Sequence, residues 1–242
     1  MSRLQNGKKK VVSARSPSSQ SGADTTLSSR ALADLRSDIL NLTLKPGARL
    51  VFDALREKYG VGLSPLREAL SRLEVEKLVV AEEWRGFRVS PLTVGDFYDL
   101  TEMRREIEAM AVSKSVARGG ERWASELSRA FHAMSEASAN YHNLSDAWSE
   151  RHREFHEALV SECGSPWLLT MRRQLFDHFM RYQRLAPQRV QKGFSDAAGH
   201  NAILEAAKAR DVEKCASLIR SHIVVLDVIV ASTQSFSSEP TS

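Results

Sequence analysis

Val61-Gly62-Leu63-Ser64-Pro65-Leu66-Arg67-Glu68-Ala69-Leu70-Ser71-Arg72-Leu73 is the stretch on which the fold turns. Leu66, Ala69, Leu70 and Leu73 recur at i, i+3, i+4 and i+7, the spacing of a helix with one buried face. Arg67, Glu68, Ser71 and Arg72 occupy the opposite face. Ser64 is placed to cap the helix, with Pro65 at N1, where its missing N–H costs nothing. Arg67 at N3 excludes a capping box. A short helix that starts sharply after a Gly-containing turn, with arginines near its N-terminus, has the form of a DNA-reading helix.

Working outward, Phe52–Tyr59 reads as a helix stopped by Gly60, so Gly60–Leu63 is a tight helix-to-helix turn. Upstream, Leu32, Leu35, Ile39 and Leu42 mark another amphipathic helix, ended by Lys45-Pro46-Gly47. Downstream, two apolar runs, Leu78–Ala81 and Phe87–Val89, flank Glu82-Glu83-Trp84-Arg85-Gly86 as strand, turn and strand. Three helices followed by a β-hairpin make a winged helix-turn-helix.

Lys45-Pro46-Gly47, Gly60-Val61, Ser64-Pro65-Leu66-Arg67-Glu68-Ala69-Leu70, Arg72-Leu73 and Arg85-Gly86-Phe87-Arg88-Val89 resemble, in order and spacing, the GntR-type repressor head. The resemblance implies that Arg67 and Arg72 reach base edges or phosphates, with Ser71 on the same face. It places Ser64 and the helix N-terminus on a phosphate, and the Arg85-Gly86 tip at the minor groove. Gly62-Leu63 departs from the family's usual Ser-Arg, which removes one arginine from the DNA side and implies a different operator.

The chain of 242 residues is long enough for one small and one medium domain. Its net charge of +4 is carried by the N-terminus, where Arg3, Lys8, Lys9, Lys10, Arg15 and Arg30 face only Asp24. The rest is close to neutral, so geometry and not a basic patch is the case for DNA binding. Residues 1–27, rich in Ser, Gln, Gly and Lys, are expected to be a disordered basic tail. The head spans 28–90, residues 91–96 link it to the next helix, 97–231 form an all-helical domain, and 232–242 are a polar tail. Cys163 and Cys215 lie in helical segments and suggest no disulfide framework. No signal peptide or apolar run of about 20 residues is visible, so no membrane association and a cytoplasmic location are expected.

After Ser90-Pro91-Leu92, Thr93 with Asp96 three residues on marks a helix start. Six helices are expected from there to residue 232, with breaks at Gly119-Gly120, Asn140–Asp146, Gly164-Ser165-Pro166, Pro187–Ser195 and Arg210-Asp211. Several carry polar residues where packing wants hydrocarbon. Arg104 falls on the stripe of Phe97, Leu100, Ile107 and Ala111. It keeps its charge, so it needs an internal glutamate, an outward-reaching stem or an anionic ligand. His152 and His156 share a stripe with Trp148, Phe155 and Leu159, and imidazoles at i and i+4 can share one metal ion. His200 leads Ile203, Leu204 and Ala207, and His222 continues Cys215, Leu218 and Ile219. Each alone is an ordinary core histidine. Together, four buried imidazoles need partners, and a shared cation would serve all of them.

Glu102-Met103-Arg104 with Glu108, Phe155-His156, Gly199-His200 and Ser221-His222-Ile223 resemble the FCD effector domain of the FadR branch, a helical bundle around a small-acid pocket. The resemblance implies metal ligands at His156, His200 and His222, with His152 in a slot usually acidic. It also implies an effector contact at Arg104, and homodimerisation on a palindromic operator. Arg172, or Arg181 with Tyr182, are candidates for a second acidic group. Val61–Leu70, Arg151–His156 and Cys163–Leu169 are similar to the subgroup around the carbon-starvation-induced glutarate-responsive repressor, which implies a dicarboxylate or hydroxy acid. Imidazole ligands suit zinc or nickel. The expected protein is thus a metabolite-responsive repressor taking a small mono- or dicarboxylic acid. A metal-dependent enzyme is the competing reading. It lacks a His-Glu-x-x-His motif, and Glu154 and Glu157 point away from the histidine stripe. A third is a regulator whose metal is purely structural.

Overall fold

The computed structural model describes residues 20–140, 146–185 and 197–223. Among them the elements run α1 (Gln20–Leu40), β1 (Arg49–Leu50), α2 (Phe52–Tyr59), α3 (Leu63–Val75), β2 (Val79–Glu82) and β3 (Gly86–Val89). The second domain follows as α4 (Val94–Arg118), α5 (Glu121–Asn140), α6 (Asp146–Val160), α7 (Pro166–Leu185), α8 (Ala197–Lys208) and α9 (Val212–His222). A winged helix-turn-helix precedes an all-α bundle, as the periodicities require.

In the head, Leu35, Ile39, Leu55, Leu66, Leu70 and Leu73 close a core between α1, α2 and α3. Gly60 turns the chain at φ 64° and donates its N–H to the Arg56 carbonyl, a left-handed cap that a Cβ would disfavour. α3 begins earlier than expected. Gly62 is its extended N-cap and no side chain caps it, so Ser64 is not the cap but lies inside the first turn. Pro65 is tolerated there because N–H groups of the first turn have no intrahelical acceptor, and the shift buries its ring beside Leu66.

β2 and β3 form the expected hairpin, Val79 facing Val89 and Glu82 facing Gly86. An unforeseen strand, β1, pairs with the other edge of β3, Arg49 opposite Arg88 and Leu50 opposite Phe87. Two residues after a Pro-Gly turn are too few to show alternation, and the open edge of β3 supplies the pairing. α1 extends back to Gln20, into the stretch expected to be disordered. Elongating a helix already anchored by packing costs little per residue. Residues 1–19 lie outside the described residues, as do 224–242 and the reading of a polar tail made there.

Thr93 starts α4 as expected, its side chain accepting the Asp96 N–H at 3.2 Å. The breaks at Gly119-Gly120, Gly164-Ser165 and Arg210-Asp211 fall between helices, with Pro166 opening α7, while residues 141–145 and 186–196 lie outside the described residues. α4 packs along α6, α7 and α9, so it brings the polar positions of those helices to one place. Head and bundle also touch directly. His178 Nε2 donates to the Glu76 carbonyl at 2.8 Å, and Arg181 donates to the Ser90 carbonyl at 2.7 Å.

Candidate functional site

The outward face of α3 presents Ser64, Arg67, Ser71 and Arg72, all exposed. Arg67 stacks its guanidinium on the Phe52 ring, 5.1 Å from the centroid, and Phe52 meets Phe87 of the wing edge-on. The wing thereby fixes the direction of an arginine on the reading helix. Arg72 is engaged by Glu68 one turn back at 2.6 Å, a pair about half exposed and therefore weak. Arg85 and Gly86 stand at the hairpin tip, Gly86 at φ 87°. Sequence reasoning missed Arg49, which the unforeseen strand β1 carries to the wing, where it donates to the Arg85 carbonyl at 3.3 Å. No periodicity in Ala48–Leu50 signals that placement.

In the bundle, His152 and His156 on α6, His200 on α8 and His222 on α9 converge. One ligand nitrogen from each lies within 4.8 Å of all the others. Nitrogens bound to one ion at ~2.0–2.1 Å sit ~3.3 Å apart in a tetrahedron, so small side-chain adjustments close the set. His152, His156 and His200 are buried, and His222 is half-buried. Trp148 stacks on His152 at 4.6 Å and orients it. Neither ring nitrogen of His156 makes a hydrogen bond, nor does Nδ1 of His152. Buried imidazole nitrogens left unpaired are costly, and a cation would satisfy them. Burial, then the neighbouring imidazoles and Arg104, holds His152 and His156 well below the ordinary imidazole range. His222 is brought down to about 3, by burial first and then by His200 and Arg104. All three are neutral at neutral pH, the form that ligates metal.

Beside them lies a cationic wall. Arg172 is buried and shares its Nε–H between both carboxylate oxygens of Glu108, at 3.1 Å to each. Glu108 also lies 3.4 Å from His156 Nδ1, without hydrogen-bond geometry. Arg153 pairs with Asp177. Arg104 is 3 % exposed, with its guanidinium against Phe176 at 4.8 Å and Phe179 at 4.3 Å. Its Nε has no hydrogen-bond partner, and among the described residues it forms no ion pair. Burial lowers its pKa to about 10, with Glu108 opposing and Arg172 and Arg153 adding to the fall. The internal glutamate foreseen as one partner for Arg104 is thus committed to Arg172.

One further expectation is corrected. Arg181 and Tyr182 do not serve as a second acid anchor at the histidines. They hold the interdomain linker, Arg181 through Ser90 and Tyr182 through the Thr93 backbone and Asp96. The role of Glu108 was visible only as a motif letter, because its partners come from α6 and α7. Glu154 pairs with Arg151 and Glu157 is exposed, so neither is a general base for the cluster.

A model of the bacterial regulatory proteins of the gntR family matches residues 27–89, and one of the FCD domain matches residues 99–224. The HTH-type transcriptional repressor GlaR of Escherichia coli is 35% identical over 196 residues, covering 78% of this chain and 89% of that protein. The uncharacterised regulator BphR of Paraburkholderia xenovorans is 34% identical, covering 78% and 79%. Among solved structures, E. coli McbR/YncC superposes with a TM-score of 0.68 at 25% identity, over 81% of this chain and 93% of that one. A GntR regulator from Rhodococcus superposes at 0.67 and shares the fold at 23% identity, over 89% and 100%. The reading helix, wing and helical bundle are therefore those of a DNA-binding transcription regulator and not of an enzyme, and the chain belongs to the GntR family, with an FCD domain as its C-terminal half.

Proposed function

We propose that the FCD domain senses a small mono- or dicarboxylic acid, held between a metal ion on His152, His156, His200 and His222 and the guanidinium of Arg104. The observation that carries this reading is Arg104. It is a permanent cation, almost wholly buried, on aromatic faces, while its neighbours Arg172 and Arg153 each have a carboxylate. A buried charge of that kind is complete when an anionic ligand reaches it. Four imidazoles favour zinc or nickel. Bound there, the ion supplies a second positive centre for a carboxylate oxygen.

Acid binding then favours one arrangement of the bundle and of the heads mounted on it, a population shift that changes operator affinity. The protein acts as a homodimeric repressor in the bacterial cytoplasm, one α3 helix in each half-site of a double-stranded operator. A thermal-shift screen of zinc and nickel against C3–C6 mono- and dicarboxylates, on wild type and Arg104→Ala, tests the reading. Stabilisation that requires both metal and Arg104 supports it. A chelator that lowers Tm, with no acid raising it, makes the metal structural and refutes the acid pocket.

A further inference from the structure

Trp84 stands at the tip of the β2–β3 wing with 96 % of its surface exposed. Its backbone is left-handed, φ 60°, a conformation a bulky residue enters at a cost. The indole Nε1 donates to Glu83 Oε1, 3.1 Å away on the adjacent residue, so that bond does not tie the ring to the head. In the free protein the indole is therefore a net burden, with apolar surface in water on a strained turn.

Its surroundings suit a nucleic acid. Arg85 follows it in the chain, and Arg49 donates to the Arg85 carbonyl from β1, which brings a second cation to the turn. On the acidic side of the turn, Glu82 is held by Arg88 at 2.8 Å. A flat apolar ring on a turn that carries arginines matches the minor groove, where apolar wedges enter between sugar walls lined by phosphates.

We propose that Trp84 is a specificity-determining DNA contact. Its indole packs into the minor groove beside the half-site read by α3, with Arg85 and Arg49 on the adjoining phosphates. Selection there acts on groove shape and step flexibility, at base pairs the reading helix does not touch.

The test uses the full chain and a duplex enriched from a random-sequence pool by the wild-type protein. In a Trp167→Phe background Trp84 is the exposed indole, because Trp123 and Trp148 are 3 % and 2 % exposed. The duplex is expected to quench its emission and shield it from acrylamide. Trp84→Ala is expected to bind that duplex about ten-fold more weakly and to lose base preference flanking the half-site while keeping the core preference. Trp84→Phe retains most of both. Trp84→Gly, which suits the left-handed backbone, raises Tm while weakening binding, a divergence that a structural role would not produce. Unchanged acrylamide access on the duplex, or a Trp84→Ala protein with the same affinity and flanking preference, overturns the proposal and leaves DNA binding by α3 intact.

Discussion

Glu108 is the carboxylate on which the cationic wall depends, fully buried between Arg172 and His156. Replacing it by Gln leaves Arg172 as an uncompensated buried charge, and breaking such a pair costs about 3–5 kcal/mol. Urea denaturation of Glu108→Gln should register a loss of that size. Arg104 behaves oppositely, because the folded protein already carries its desolvation without a bonded anion. Arg104→Met is expected to be as stable as wild type, or more stable, in the absence of acid. The same variant should lose any stabilisation by carboxylates. A fall in acid-free Tm on that substitution would show that a protein group already compensates the charge.

At the scale of the element, α3 shows how the same residues serve helix and ligand in turn. The Glu68–Arg72 pair spans one helical turn in water, where such pairs contribute only about 0.3–0.5 kcal/mol. Glu68→Ala should therefore leave Tm nearly unchanged. It frees Arg72 and removes a negative charge from the reading face, so its affinity for duplex DNA should rise several-fold. Equal affinity would mean that Arg72 does not reach the DNA. The helix was legible from its i, i+3, i+4 stripe, yet its start was misplaced. Sequence favours the serine as cap, but packing chose the register that buries Pro65 and Leu66. Strand β1 was invisible for a related reason, since its pairing partner lies on β3, far along the chain.

At the scale of the molecule, α7 joins the two halves through three consecutive residues. Phe176 lies against Arg104, Arg172 and the ring of His156. Asp177 holds Arg153, and its charge also reaches Arg36 of α1. His178 donates to the carbonyl of Glu76, the C-cap of α3, whose side chain binds Arg36. A ligand at the proposed acid site that moved α7 would therefore act directly on the end of the reading helix. His178→Ala is expected to leave metal binding intact and to weaken the effect of the acid on DNA affinity, measured by anisotropy on one duplex with and without acid. This contact also has a pH signature. Burial holds His178 below the ordinary imidazole range, Arg181 adding to the effect while the Glu76 carbonyl, Asp96 and Asp177 oppose it. As pH falls through about 6.5 the unfolded chain takes up the proton first, so the stability from neutral His178 is whole above that pH and lost below it. Wild type should lose more Tm than His178→Gln between about pH 7.5 and about pH 5.

The helix faces, the Thr93 cap, the hairpin and the inward turn of four histidines were legible in the sequence, because each is a local pattern of spacing along one element. Packing, not spacing, leaves Arg104 without a carboxylate among the described residues while the neighbouring arginines have one. Arg172 meets Glu108 across 64 residues and Arg153 meets Asp177 across 24, which leaves Arg104 on its aromatic faces. Such pairings depend on how helices pack and not on their periodicity. The same holds for the seam at His178 and Arg181, where Arg181, an acid-anchor candidate by sequence, instead holds the linker in place beside His178.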